Sequence, residues 1–258
     1  MQLLPSLFIS HGSPDIRFRD HEVKDFFKTL NSKMQKPKSI IVISAHWYTP
    51  NLEILTNNSP ELIYDFYGFQ KELYEVKYPI KNDLNLVDKI VDTFKQNNIE
   101  IDKNSTREGY DHGVWSILSL IYPNADIPVV QLSLPMSYSV DELIKLGEIL
   151  KEFREDSLII GSGNITHNLR DIDWHGHENI RAYAKEFRDF VIENLENSNI
   201  DELKDIENIP YLKENHPSLD HLLPLYINIG SSNDKKGESM IESYMFGSLA
   251  MDTIIFKN

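Results

Sequence analysis

The chain has no cysteine, which excludes disulfides, thiolate metal ligands and a cysteine nucleophile together. It also lacks any surplus of positive charge. Its 26 Lys and Arg stand against 40 Asp and Glu, a formal net charge of -14. Such a balance argues against nonspecific binding to nucleic acid or to an anionic membrane. No apolar run approaches the roughly 20 residues needed to cross a bilayer. The opening MQLLPSLFIS carries neither the basic leader nor the full apolar core of a signal peptide, so the expected location is the cytoplasm. Gly161-Ser162-Gly163 reads as a turn, but it falls short of G-x-G-x-x-G and has no Walker lysine, so it is a poor phosphate loop and its glycines rather let backbone approach a bound group closely. With thiols gone, the nine histidines are left to carry any transition-metal chemistry.

What is present is a repeated local design. Three short apolar runs each lead to a histidine among small residues. Leu7-Phe8-Ile9 is followed by Ser10-His11-Gly12-Ser13-Pro14, and Ile40 to Ile43 by Ser44-Ala45-His46-Trp47. Leu158-Ile159-Ile160 leads through Gly161-Ser162-Gly163-Asn164-Ile165-Thr166 to His167. Runs of this length, rich in β-branched residues, read as buried strands of a parallel or mixed sheet. In open α/β sheets the carboxyl edge of the strands is where ligands bind.

The remaining pattern predicts a single domain, 1–258, of α/β class with a central mixed, mostly parallel β-sheet flanked by helices. A first strand is expected over 3–9, a helix near 20–31, and a short strand at 52–56. Residues 57–79, rich in Tyr, Pro and Phe, show no period and read as a long irregular excursion. Such a segment serves as a lid, a substrate wall or a packing arm at a subunit contact. A helix is expected at 82–97, capped by Asn82 or Asp83, then a short strand at 99–101. A helix should open after Gly113, placing His112 at its start. PVVQLSL at 128–134 reads as a strand, and Ser139 with Glu142 as a capping box for a helix near 140–154. Strand, helix and strand in that order form a βαβ unit. A helix is expected at 178–195 with Ile180 inward, another holding His221 near its start, and a closing pair of strands within 241–257. His175 and His177, in DWHGHEN, read as mostly surface residues of a polar loop.

Five strings occur in order: SHGSP at 10–14, SAHW at 44–47, DHGVW at 111–115, GSGNITHNL at 161–169 and HPSLDHLLPL at 216–225. Together they resemble the class III extradiol ring-cleavage dioxygenases, the family related to the catalytic subunit of protocatechuate 4,5-dioxygenase. The likeness is nearest to the 4,5-DOPA extradiol dioxygenase subgroup and spans the chain from residue 3 to about 256. The resemblance implies one divalent metal held by His11, His46 and His221. Fe(II) is the expected working ion, and Zn can occupy such a site. It implies that His167 is an acid/base catalyst or a further ligand, and that His112 contacts substrate or oxygen. The implied partners are a small catechol and O2.

A histidine titrates near neutral pH and suits the removal of a catechol proton. Trp47, Tyr48 and Trp115 flank the proposed ligands as candidate stacking surfaces for an aromatic ring, with ordinary core packing the alternative for each and the favoured one for Trp115. Arg107 or Arg170 are candidates for a substrate carboxylate. Two other functions share the pattern: a zinc hydrolase on the same histidines, and a non-catalytic metal-binding or interaction module of the same fold. The composition allows a monomer or a homodimer.

Overall fold

The apolar runs of the sequence become the parallel centre of one sheet. The computed structural model describes residues 3–174 and 179–257; His175 and His177 lie outside them. In chain order the strands are β1 (Ser6–Ser10), β2 (Ser39–Thr49), β3 (Glu53–Leu55), β4 (Glu61–Leu62), β5 (Asp102–Asn104) and β6 (Gly109–Tyr110). They continue with β7 (Val129–Pro135), β8 (Ser157–Gly163), β9 (Glu238–Ser239), β10 (Tyr244–Met245), β11 (Leu249–Ala250) and β12 (Thr253–Phe256). The α-helices are α1 (Glu22–Leu30), α2 (Leu84–Gln96), α3 (His112–Ile121), α4 (Val140–Leu150), α5 (Ala182–Glu196), α6 (Ile200–Lys204), α7 (Leu212–Asn215) and α8 (Pro224–Gly230).

Eight strands form the main sheet in the order β5-β3-β7-β2-β8-β1-β12-β9. The inner four, β7, β2, β8 and β1, are mutually parallel. Antiparallel β3 lies on one side of them and antiparallel β12 on the other. The unit β7-α4-β8 is the expected parallel crossover, with β2 filling the position between its two strands.

Alternation along each strand builds two cores, because successive side chains point to opposite faces. Ile41 and Ile43 join Val130, Leu132 and Ile159 against α2, α4, α5 and α8. Ile40 and Val42 join Leu7, Ile9 and Ile160 against α1 and α3. Both faces are covered, which is why the strands read as continuous apolar runs. Ile40 to Ile43 are at most 1% exposed, and each such side chain contributes roughly 1.5–3 kcal/mol by leaving water.

The helix ends follow their signals. The Asp83 carboxylate accepts the Leu86 N–H, and Ser139 with Glu142 closes a full capping box on α4. Other expectations need correction. β2 does not stop at Ser44. It continues to Thr49 with an irregular register between Ile43 and Tyr48, so Ser44 to Trp47 form a bulge that re-aims side chains. Gly161-Ser162-Gly163 is not a turn but the end of β8. The short strand expected at 99–101 lies at Asp102–Asn104. Helix α5 starts at Ala182 and leaves Ile180 46% exposed. His221 is not inside a helix. Helix α8 begins at Pro224, because a proline ring clashes with the carbonyl four residues earlier and suits the first helical position instead. His221 therefore occupies the turn before it. The expected closing strands are present as β10, β11 and β12.

Candidate metal centre

Parallel packing of β2, β8 and β1 brings three carboxyl ends to one edge. Ser44 lies opposite Ser162, and Ser10 opposite Gly163. His11 follows β1 directly, and the β2 bulge carries His46 to the same place. The turn holding His221 reaches them through β8: the Asn164 N–H donates to the His221 carbonyl at 2.9 Å. Gly163 permits that approach, since a Cβ there would sit 2.1 Å from the His221 oxygen. Gly113 does the same for His46. A Cβ at Gly113 would meet Ser44 Oγ at 2.6 Å and the His46 ring at 3.2 Å.

The three imidazoles face one another. The His11 and His46 Nε2 atoms are 3.0 Å apart. One nitrogen from each of His11, His46 and His221 lies within 4.8 Å of the others. Each ring is held from behind through Nδ1. His11 Nδ1 meets Ser162 Oγ at 2.9 Å, and that hydroxyl spends its own proton on the Gly113 carbonyl at 2.6 Å. The serine oxygen must therefore accept, so His11 carries its proton on Nδ1. His46 Nδ1 lies 3.2 Å from Asp65 Oδ2. His221 Nδ1 donates to Asp220 Oδ2 at 2.5 Å. With each Nδ1–H committed, all three Nε2 atoms face inward. The Nε2 of His221 is buried and has no hydrogen-bond partner, an arrangement a buried nitrogen keeps only when another group completes it. Neutral imidazoles fixed by an acceptor on the far nitrogen are the donor set of a divalent transition metal. The described residues fit such an ion.

Charge at the site agrees. Burial, then the neighbouring imidazoles, holds His11 and His221 well below the ordinary histidine range, so both are neutral. His46 moves the other way. Burial opposes its charge, but the Asp65 hydrogen bond and the carboxylates of Asp111, Asp65 and Asp220 outweigh it and raise the pKa.

His112 and His167 flank the cluster. The His112 ring lies 4.0 Å from that of His46, and its Nδ1 donates to Asp65 Oδ1 at 2.9 Å. Burial and His46 lower its pKa. His167 stacks on His221 with centroids 3.5 Å apart and planes within 7°. Burial, then His216, brings its pKa down to about 3, so it too is neutral.

The aromatic candidates are placed differently from one another. Trp115 is fully buried and gives its indole N–H to the Ile63 carbonyl. Trp47 is buried in the same core, with the Arg107 guanidinium 4.6 Å from its ring centre. Both face protein. Tyr48 is half-buried, and its hydroxyl is pushed up first by burial and then by the Asp220 charge. Phe66, in the aromatic-rich 57–79 excursion, has its ring 5.7 Å from His112. Arg107 is committed to Asp111 at 2.9 Å and to the Gly109 carbonyl, and Arg170 is exposed.

Three supporting groups escaped the sequence reading. Asp65 lies in the aperiodic 57–79 stretch. Ser162 was visible only as part of a glycine-rich run. Asp111 is fully buried, taking hydrogen bonds from Ser44, Arg107 and Gln131. Through Ser44, whose Oγ accepts the His46 N–H at 3.2 Å, it shapes the β2 bulge.

Comparison with known proteins gives the same frame. Residues 5–252 match the family described as the catalytic LigB subunit of aromatic ring-opening dioxygenase, and the chain belongs to that family. A protein of Escherichia coli (strain K12) named 4,5-DOPA dioxygenase extradiol is 32% identical over 255 residues, covering 96% of this chain and 93% of that protein. A Beta vulgaris protein of the same name is 32% identical over 249 residues, covering 95% and 92%. The crystal structure of an uncharacterized protein from Escherichia coli K12 superposes with a TM-score of 0.82 at 27% identity, covering 98% of this chain and 99% of that one. Among the described residues, no helix is long and apolar enough to cross a membrane.

Proposed function

We propose that the protein is an extradiol dioxygenase that opens the ring of a DOPA-like catechol beside its diol, using O2. In this reading His11, His46 and His221 hold one divalent metal, with Fe(II) the working ion. The observation that carries it is the inward convergence of three Nε2 atoms, each ring tied behind by Ser162, Asp65 or Asp220. Family membership and the names of the relatives support a catechol as substrate.

A bound ion would supply Lewis-acid activation of the catechol hydroxyls and one-electron chemistry with O2. The protein's own contribution is positional. His167, neutral and stacked on His221, presents a lone pair to accept a hydroxyl proton, and an anionic catecholate beside it would raise its basicity. His112, with Nδ1–H committed to Asp65, presents its own Nε2 as a second acceptor toward substrate or oxygen. Phe66, 5.7 Å from His112, and half-buried Tyr48, two residues after His46, are the candidate aromatic surfaces for a flat ring. Trp47 and Trp115 stiffen the wall behind them.

A second reading, a zinc hydrolase, draws on the donor set: three neutral imidazoles and no carboxylate ligand, which suits Zn and its bound water. One experiment separates the two. Metal-free protein is reloaded anaerobically with Fe(II) or with Zn and given a panel of catechols and O2, then esters and amides. Oxygen uptake with a coloured ring-opened product from the Fe(II) form supports the dioxygenase. Hydrolysis by the Zn form without oxygen uptake by either form would replace it.

A further inference from the structure

The geometry points to Asp65 as a single carboxylate that sets two histidines at once, making the 57–79 excursion part of the site. Oδ2 lies 3.2 Å from His46 Nδ1. Oδ1 accepts both the His112 ring N–H at 2.9 Å and the His112 backbone N–H at 3.1 Å. Its two oxygens thus divide between a ring that faces the three-histidine group and a ring beside it. The inference rests on the metal reading for His46 and stands independently of it for His112.

The excursion is anchored so that this carboxylate cannot wander. Leu62 pairs with Tyr110 in the short β4–β6 ladder, and the Ile63 N–H donates to the Tyr110 carbonyl at 2.7 Å. The Trp115 indole holds the Ile63 carbonyl at 3.0 Å, and the Tyr64 hydroxyl donates to the Val76 carbonyl at 2.8 Å. Leu62 and Ile63, which lead into Asp65, are fixed to the body of the protein, and just after it the Phe66 ring packs 5.7 Å from His112 and 6.0 Å from Trp115. Trp115, buried as it is, therefore acts on the site through Asp65.

A carboxylate can accept from two Nδ1–H groups because both of its oxygens are acceptors. An amide cannot, since its NH2 turns a donor toward one of them. With Asn at 65, the oxygen can serve only one ring, and the other must lose its bond or move its proton to Nε2. If that ring is His46, the proton stands on the nitrogen meant for the metal. If it is His112, the ring changes from acceptor to donor toward the substrate side. Asp65 is a positioning residue in both cases.

The test uses the full chain as Asp65→Asn, with the Asp65→Glu and Asp65→Gln pair repeating the comparison at equal side-chain length should D65N not fold. Zn(II) binding to the metal-free protein is measured against a competing chelator. The imidazole 15N shifts of His46 and His112 are read in the same samples. Wild type should bind one Zn(II). D65N or D65Q should show an affinity lowered roughly 10–100-fold, the usual cost of losing such a support, or a changed tautomer at His112. D65E should stay near wild type. Wild-type Zn(II) affinity in D65N together with unchanged 15N shifts at both rings would overturn the inference, as would a second bound Zn(II) in wild type that D65N loses, which would make Asp65 a ligand. If wild type binds no Zn(II), the metal reading fails, and the 15N shifts alone decide: both rings unchanged in D65N would overturn Asp65 as well.

Discussion

Ser162→Ala removes one oxygen that serves two groups. That oxygen accepts the Nδ1–H of His11 at 2.9 Å and donates to the Gly113 carbonyl at 2.6 Å. Ser162 is fully buried and His11 is 1% exposed, so water cannot replace the lost partner cheaply. The Gly113 carbonyl, inside α3, keeps its helical N–H donor and loses only a second bond, a net of about 0.5–1.5 kcal/mol, whereas a stranded His11 Nδ1–H costs about 1–3 kcal/mol. His11 has one escape in the metal-free protein. It can move its proton to Nε2 and donate to His46 Nε2, already 3.0 Å away. Only the second bond to the Gly113 carbonyl is then lost, and the expected loss of metal-free stability shrinks to about 0.5–1.5 kcal/mol. The same escape blocks the metal, because the proton now occupies the nitrogen that must face it. Zn(II) affinity should fall roughly 10–100-fold, and more steeply at lower pH. Urea unfolding with and without Zn(II), beside chelator competition at pH 6 and 8, measures both quantities. A variant that binds Zn(II) within about twofold of wild type at both pH values would refute the assigned direction of the Ser162 hydrogen bonds and the role built on it.

Two further outcomes follow from other histidines. His167→Ala should keep its metal while kcat falls roughly 100-fold or more, the usual contribution of a proton acceptor; metal content falling as far as in His46→Ala would make His167 a ligand first. His216 is buried, donates to the Ile165 carbonyl at 2.7 Å, and has its pKa lowered to about 4 by burial. Its unfolded value is the higher one, so the folded chain binds fewer protons between about pH 6.5 and pH 4. Stability should fall as pH drops through that window and level off below it, by about 3 kcal/mol for this one group. His216→Gln should flatten the acid limb of a stability–pH curve by one proton, and an unchanged limb would contradict the burial argument.

How far the site was legible depends on how local each signal is. His11 and His46 could be found because an apolar run followed by small residues marks a strand end, and strand ends in a parallel sheet share an edge. Even there the signal misleads: Ser44-Ala45 looks like a strand end, whereas β2 bulges and runs on to Thr49. Small residues that stop a strand and small residues that let it bulge look alike in one sequence. His221 was reachable only through its motif, since nothing in its spacing says that Gly163 will let its carbonyl against β8. Asp65 carries no signal at all. It belongs to a segment without period, and its meaning lies in two rings 19 residues before it and 47 after it in the sequence. Core packing is the favoured reading of Trp115 in the sequence, but the burial of Trp47 was hidden, because an aromatic beside a ligand reads the same whether it faces substrate or core. The parallel order of β7, β2, β8 and β1, by contrast, follows from their continuous apolar character and the βαβ spacing.

The most direct measurement is the fate of oxygen. Protein loaded with one Fe(II) under anaerobic conditions is given L-DOPA or another catechol and then 18O2, and the product is weighed by mass spectrometry. One O2 consumed per catechol, both labelled atoms in an open-chain product, and loss of that product in His46→Ala are expected. A product without label, or a closed ring oxidised to a quinone, would contradict the assignment of these three histidines to extradiol cleavage.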